Sequence, residues 1–208
     1  SMINLEKEGF SNFENNVIKC GDVMEDAALF YAKTLDKDDL WLKTNHLTNE
    51  GYILSTIHRQ ENTDDPTVLR RIINKLQEIN KTTPVVIPLH PRTKEKIETL
   101  GIELSLTVID PVGYFDMIRL IRNCKMVFTD SGGLQKEAYF FNKFCITLRE
   151  QTEWIELVDL GYNCIVGSDP TKIDCAYSDY KNKDFIKGES LYGGGNAAQN
   201  IVQFILNN

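Results

Sequence analysis

KMVFTDSGGLQKEA, residues Lys125–Ala138, places an apolar run, a glycine-containing break and a polar continuation in immediate succession. Met126-Val127-Phe128 is the kind of run that fills a strand buried on both faces. Asp130-Ser131-Gly132-Gly133 interrupts it, and a helix is expected from Leu134 onward. A strand, a turn and a helix N-terminus in that order expose unpaired backbone N–H groups at the positive end of a helix dipole, a ready site for phosphate. Gly132 and Gly133 carry no Cβ, so an anion can approach the backbone closely. The same residues also fit an ordinary turn in which Asp130 or Ser131 caps the helix. Glu137 tips the balance: one turn into the helix, its carboxylate reaches the hydroxyls of a ribose lying beyond the phosphate.

Working outward, a regular alternation begins after Gly51. Tyr52–Ile57, Val85–Leu89, Leu106–Ile109, Met126–Thr129, Cys145–Leu148 and Cys164–Val166 read as six strands. Helical patterns separate them. Asp64-Asp65-Pro66 opens one in which Val68, Leu69, Ile72, Ile73, Leu76 and Ile79 share an apolar face. Others are expected at Thr93–Leu100, Tyr114–Arg122, Trp154–Leu160 and Thr171–Ala176, with Gly101 and Gly161 past the ends of two. Tyr177–Leu191 reads as a polar loop, and Gly193-Gly194-Gly195 leads to a last amphipathic helix, Ala197–Leu206. Strands alternating with helices imply an α/β fold with a doubly wound parallel sheet. Residues 1–48 read as a lead-in, with a short strand at Val17–Cys20, a helix from Asp22 to about Thr34, and a charged segment Asp36–Asp39 before a short helix near Leu40–Leu42. The main domain is then 49–208. Ser1 ahead of Met2 reads as a cloning scar, and the chain is expected to be a piece cut from something longer.

The bulk properties narrow the function. The chain has 208 residues, enough for one good core. A net charge of −7 and a pI near 5.1 argue against nucleic acid or an anionic membrane as partner. No apolar run approaches a membrane span of about 18 residues. Of the five cysteines, Cys20, Cys145 and Cys164 sit in strand-like runs that suit buried thiols, no CxxC pair exists, and a reducing cytoplasm fits best. Three dispersed histidines make zinc a poor fit, and no P-loop, GxGxxG, GxSxG or HExxH pattern is present; no metal or cofactor is expected.

In a sheet of order 3-2-1-4-5-6 the first and fourth strands are neighbours where the winding reverses, and ligands bind at their carboxyl ends. His58-Arg59-Gln60-Glu61-Asn62 follows the first strand and Asp130-Ser131-Gly132-Gly133 the fourth, so both loops should face one crevice. His58 suits proton transfer, or charge donation to a phosphate. Arg59 suits forked binding of an anion. His90-Pro91-Arg92, after the second strand, either lines the crevice edge or caps the next helix. Arg149 belongs to the same rim, either as an anion ligand or in a surface ion pair with the acidic residues after it.

TIHRQEN (Thr56–Asn62), PLHPR (Pro88–Arg92), TDSGGLQKEA (Thr129–Ala138), LREQTEW (Leu148–Trp154) and YGGGNAAQNI (Tyr192–Ile201) together resemble the non-hydrolysing UDP-N-acetylglucosamine 2-epimerases. The likeness runs in order from residue 14 to residue 206. It implies the carboxyl-terminal half of a two-domain enzyme of the glycosyltransferase-B arrangement, built from Rossmann-like domains. It also implies a missing amino-terminal domain and a homodimer when full-length. The implied reaction interconverts UDP-GlcNAc and UDP-ManNAc: a base removes the C2 proton, UDP departs from C1, and UDP re-adds after reprotonation from the opposite face. Carried over, Ser131, Gly132 and Gly133 would hold the nucleotide phosphates, Glu137 the ribose, and the Tyr114–Met117 helix start the uracil. Met117 and Arg149 join that UDP-binding set, and His58 is the active-site histidine near the departing diphosphate. Arg59 and His90 fall where some relatives bind a second, regulatory nucleotide-sugar.

Lys136 replaces a usual acidic residue, and Gly194 a usual Asp. Glu153-Trp154-Ile155-Glu156 stands where the commonest subgroup has Glu-Arg-Pro-Glu; the Trp form resembles the branch acting on 2,3-diacetamido glucuronic acid nucleotides. A UDP-sugar glycosyltransferase and a non-catalytic UDP-sugar-binding domain are the alternatives of other classes.

Overall fold

The computed structural model describes residues 2–35, 40–188 and 190–207. The charged segment Asp36–Asp39 lies outside the described residues. The chain divides into two compact units, Ser1–Phe30 with Gly188–Asn208, and Tyr31–Lys187. The boundary expected at 48/49 falls inside the second unit.

The second unit contains six parallel strands: β1 (Ile53–Thr56), β2 (Val85–Pro88), β3 (Thr107–Ile109), β4 (Met126–Thr129), β5 (Cys145–Thr147) and β6 (Asn163–Ile165). Their order is β3-β2-β1-β4-β5-β6, the doubly wound order with its reversal between β1 and β4. Successive strand residues point to opposite faces, and the sequence supplies apolar side chains for both. Ile53, Val85, Ile87, Phe128 and Ile146 join one core with Leu69, Ile72, Ile73 and Leu76. Leu54, Val86, Val127 and Cys145 join the other with Leu120, Ile121, Leu134 and Ala138. Burial pushes the Cys124 and Cys145 thiols up to about 12, so both are inert packing groups.

The helices of this unit begin where capping chemistry allows. Asp65 accepts from the N–H groups of Thr67 (2.7 Å) and Val68 (3.3 Å) and starts the Pro66–Asn80 helix; Asp169 does the same for Pro170–Tyr180. The latter helix extends through Tyr177–Tyr180, which the sequence reading assigned to a loop. Its tyrosines are core residues: Tyr180 stacks on Phe144 with ring centroids 4.4 Å apart, and its hydroxyl donates to Gly161 O. The other helices are Gln60–Thr63, Pro91–Thr99, Tyr114–Asn123, Gly132–Phe140 and Ile155–Asp159, with the short Leu40–Thr44 helix ahead of β1.

In the first unit, Val17–Cys20 forms no strand. The helix from Val23 is capped by Asp22, whose carboxylate accepts from Met24 N at 2.8 Å. Asp26 caps the Ala197–Asn207 helix, accepting from Ala197 N (3.0 Å) and Ala198 N (2.7 Å), and buried Glu25 accepts from Gly194 N at 2.7 Å. Gly21 and Gly193 meet backbone to backbone: a Cβ on Gly21 would lie 2.8 Å from Tyr192 O, and one on Gly193 would lie 3.0 Å from the Gly21 Cα. The glycine run thus ties the terminal helix to the lead-in. Among the described residues no helix is long and apolar enough to cross a membrane.

Candidate functional site

The register of the central pair sets the geometry. Thr56 of β1 faces Thr129 of β4, and their hydroxyls are 2.6 Å apart. Both strands end there, so His58 and Ser131 emerge side by side at the switch point, as the winding rule requires.

Between them lies Asp130. Its side chain is fully buried, and a buried carboxylate needs donors. It accepts from the backbone N–H groups of His58 (3.0 Å) and Arg59 (2.9 Å) and from Asn62 Nδ2 (3.1 Å). The His58 ring stands beside these donors with Nδ1 at ion-pair distance, 3.3 Å from Asp130 Oδ1, without a formed hydrogen bond. Asn62 also donates to Leu148 O at 2.8 Å, tying the loops after β1, β4 and β5 together. Asp130 and Asn62 were not singled out as site residues from sequence. The signal available was the pairing of HRQEN with an Asp at the end of the neighbouring strand.

The helix after β4, Gly132–Phe140, starts two residues earlier than the apolar pattern indicates because Ser131 caps it, accepting from Leu134 N at 3.5 Å. Gly132 and Gly133 are therefore its first two residues, and among the described residues their N–H groups have no acceptor. Gly133 is exposed, and a Cβ there would meet nothing nearer than Ser131 Oγ at 4.0 Å. Gly132 is covered: a Cβ would overlap the Glu153 carboxylate, and Trp154 Nε1 donates to Gly132 O at 2.8 Å. Lys136 lies over the Trp154 ring, 4.2 Å from its centroid.

Glu137, one turn on, has no hydrogen-bond or ion-pair partner for its side chain among the described residues. Burial pushes its carboxyl up to about 7, against the opposing pull of Lys136. Tyr114 is within electrostatic range of it: burial first, then Glu137 and Tyr31, raise the Tyr114 hydroxyl. Tyr31, Tyr114 and Phe115 form an edge-to-face cluster at the start of the Tyr114–Asn123 helix, with Tyr31 and Phe115 centroids 5.0 Å apart. Met117, one turn into that helix, packs half-buried against the core rather than standing clear.

Arg149 is mostly buried and held by two carboxylates, Glu153 Oε2 at 2.8 Å and Glu61 Oε1 at 3.5 Å. Burial alone would raise the Glu153 carboxyl, but its own backbone N–H, Arg149 and Arg59 together hold it below the usual range. Arg59 is half-buried. His90 stands apart after β2, where its Nδ1 accepts from Arg92 N at 3.3 Å and caps the Pro91–Thr99 helix. His58, Ser131, Gly132, Gly133, Glu137 and Arg149 thus gather at the ends of β1, β4 and β5, while His90 lies one strand out.

A family model described as UDP-N-acetylglucosamine 2-epimerase matches residues 1–206. The chain belongs to the UDP-N-acetylglucosamine 2-epimerase family. A Pseudomonas aeruginosa relative named UDP-2,3-diacetamido-2,3-dideoxy-D-glucuronate 2-epimerase is 45% identical over 97% of this chain and 56% of its own length. A UDP-N-acetylglucosamine 2-epimerase of Methanococcus maripaludis is 34% identical over 97% of this chain and 57% of its own length. The UDP-GlcNAc 2-epimerase of Methanocaldococcus jannaschii, solved in complex with UDP-GlcNAc and UDP, superposes with a TM-score of 0.85 at 30% identity, covering 100% of this chain and 59% of that one. The chain therefore spans little more than half the length of these epimerases. Within the epimerase family, the residues assembled here supply free helix N–H groups, a histidine and an unpaired carboxylate at the carboxyl edge of one parallel sheet.

Proposed function

We propose that this chain is the nucleotide-binding, carboxyl-terminal half of a UDP-sugar 2-epimerase, with UDP seated along Ser131–Gly133 and its ribose on Glu137. One observation carries the reading: a carboxylate raised by burial, without a partner, stands one turn beyond two free N–H groups at a helix N-terminus. The diphosphate takes the N–H groups and the positive end of the dipole. The ribose hydroxyls donate to Glu137, and the uracil lies against the Tyr114–Met117 turn. His58 sits beside the diphosphate and compensates the charge that develops as UDP leaves C1. Arg149 is the second cation at that rim, and Arg59 and His90 form the edge where a second, regulatory nucleotide-sugar binds.

Removal and return of the C2 proton need carboxylates within hydrogen-bond reach of that carbon. In this reading they come from a preceding domain, reached through the lead-in of residues 1–48. The exposed apolar residues Phe13, Phe30, Val202, Ile205 and Leu206, all in the first unit, support such a covering domain. The full-length enzyme is proposed to act as a cytoplasmic homodimer.

For the sugar, a 2,3-diacetamido glucuronate nucleotide is the second reading beside UDP-GlcNAc. The 45% identity to the Pseudomonas relative favours it, as does the resemblance of the Glu153-Trp154-Ile155-Glu156 form to that branch.

The 208-residue chain is expected to bind UDP and not to epimerise. Incubated in heavy water with UDP-GlcNAc, or with the diacetamido uronic nucleotide, it should place no deuterium at C2, whereas the full-length protein should. Deuterium at C2 above the no-protein control would show a complete active site in this half and refute the division of labour.

A further inference from the structure

We infer that Asp130 is a positioning residue that fixes His58 as the Nδ1–H tautomer, leaving Nε2 as the ring nitrogen available to a ligand. Asp130 is fully buried, and among the described residues no lysine or arginine pairs with it. Its Oδ2 is well supplied, by the N–H groups of His58 and Arg59 and by Asn62 Nδ2, at 2.9–3.1 Å. Its Oδ1 is not: it has a shared, longer contact to His58 N at 3.2 Å and the ring Nδ1 at 3.3 Å. A carboxylate oxygen only accepts, so a ring nitrogen at that distance is stable there as the N–H and not as the lone pair. The group that one imidazole nitrogen faces decides which nitrogen carries the proton. The ring itself is half exposed, with a side-chain accessibility of 48%, so the opposite nitrogen is open to a ligand.

The consequence concerns how charge is delivered. With Nδ1–H facing Asp130, Nε2 bears the lone pair in the neutral ring. It becomes a donor to a diphosphate oxygen only when the ring takes up a proton, and the resulting imidazolium is then compensated from behind by the buried carboxylate. At 3.3 Å the contact is an ion-pair distance and not a formed hydrogen bond, and it should close into one when the ring is charged. The tautomer assignment stands on the ligand-free geometry; its role toward a diphosphate rests on the function proposed above.

The test uses the 208-residue chain labelled with ¹⁵N-histidine, in alkaline buffer where imidazoles are neutral. His46, His58 and His90 are the histidines present, and His58→Gln assigns the signal. Wild-type His58 is expected as the Nδ1–H tautomer; an Nε2–H signal overturns the proposal outright, whatever any variant does. In Asp130→Asn, the amide oxygen is expected to stay with the Arg59 and Asn62 donors, turning its NH₂ toward His58 Nδ1. His58 should then switch to Nε2–H while His46 and His90 keep their signals. A carboxylate that merely ties the loops together would leave the tautomer unmoved, and that result also overturns the proposal. UDP, but not uridine, should then shift the wild-type His58 ring signals. Absence of that shift with the tautomer as expected would count against the diphosphate reading alone.

Discussion

Replacing Glu137 with glutamine is expected to stabilise the ligand-free chain while loosening its hold on UDP. Burial raises this carboxyl from 4.5 to about 7, so between those values the folded chain keeps a proton that the unfolded chain has released. A raised carboxyl is a penalty that is absent below the unfolded value and complete above the folded one. Stability should therefore fall as pH rises from 4.5 to about 7, by a contribution on the order of 3 kcal/mol at most. Glu137→Gln should remove that slope and be the more stable protein at pH 8. The sign reverses for the ligand. Hydrogen bonds from ribose hydroxyls to an ionised carboxylate are worth about 1.5–3 kcal/mol, so the variant should bind UDP roughly 10- to 100-fold more weakly. Wild-type affinity should rise with pH through about 7, as the accepting form becomes populated. Urea denaturation at pH 5 and pH 8, with calorimetry of UDP at both, checks the pair. A variant with wild-type stability at pH 8 and wild-type affinity would mean Glu137 is an ordinary surface acid. Sites that carry such a penalty in the empty protein are where stability and function trade off.

Gly133→Ala should separate ligand approach from folding. The residue is helical without a positive φ, and a Cβ there reaches only Ser131 Oγ at 4.0 Å. Alanine should therefore fold at least as well, with a gain of about 0.4–1 kcal/mol from the stiffer unfolded chain. A phosphate resting on the Gly133 N–H would nevertheless meet the new methyl group, and UDP affinity should drop by about tenfold or more. Gly132→Ala is the poorer probe, because its Cβ would displace Glu153 and disturb Arg149 as well. An unchanged UDP isotherm for Gly133→Ala would place the phosphate elsewhere.

The sheet was legible because each strand is a short, nearly continuous apolar run between clear breakers, as Val85–Leu89 and Met126–Thr129 show. The same hydrophobic logic failed where amphipathic residues carry the packing. Tyr177 and Tyr180 read as polar loop, yet their rings are core and their hydroxyls are satisfied by Thr83 and Gly161. The glycines that open the Gly132–Phe140 helix were read as turn, since glycine is a poor helix former and only the Ser131 cap reveals the true start. At the site, the strand-end residues followed from the winding rule. Asp130 did not, because an Asp before a helix has a simpler role as a cap, and its bonds to His58, Arg59 and Asn62 join residues about 70 positions apart. The grouping of Ala197–Asn207 with the lead-in was equally hidden, since it depends on Asp26 capping a helix about 170 positions away.

If the Gly132–Phe140 helix is the seat of UDP, a crystal structure of the 208-residue chain grown with UDP will show it there. The predicted result is diphosphate oxygens within hydrogen-bond distance of the Gly132 and Gly133 N–H groups, with both ribose hydroxyls on the Glu137 carboxylate. UDP bound away from that helix, for instance along His90–Arg92 with Glu137 left unoccupied, would contradict it.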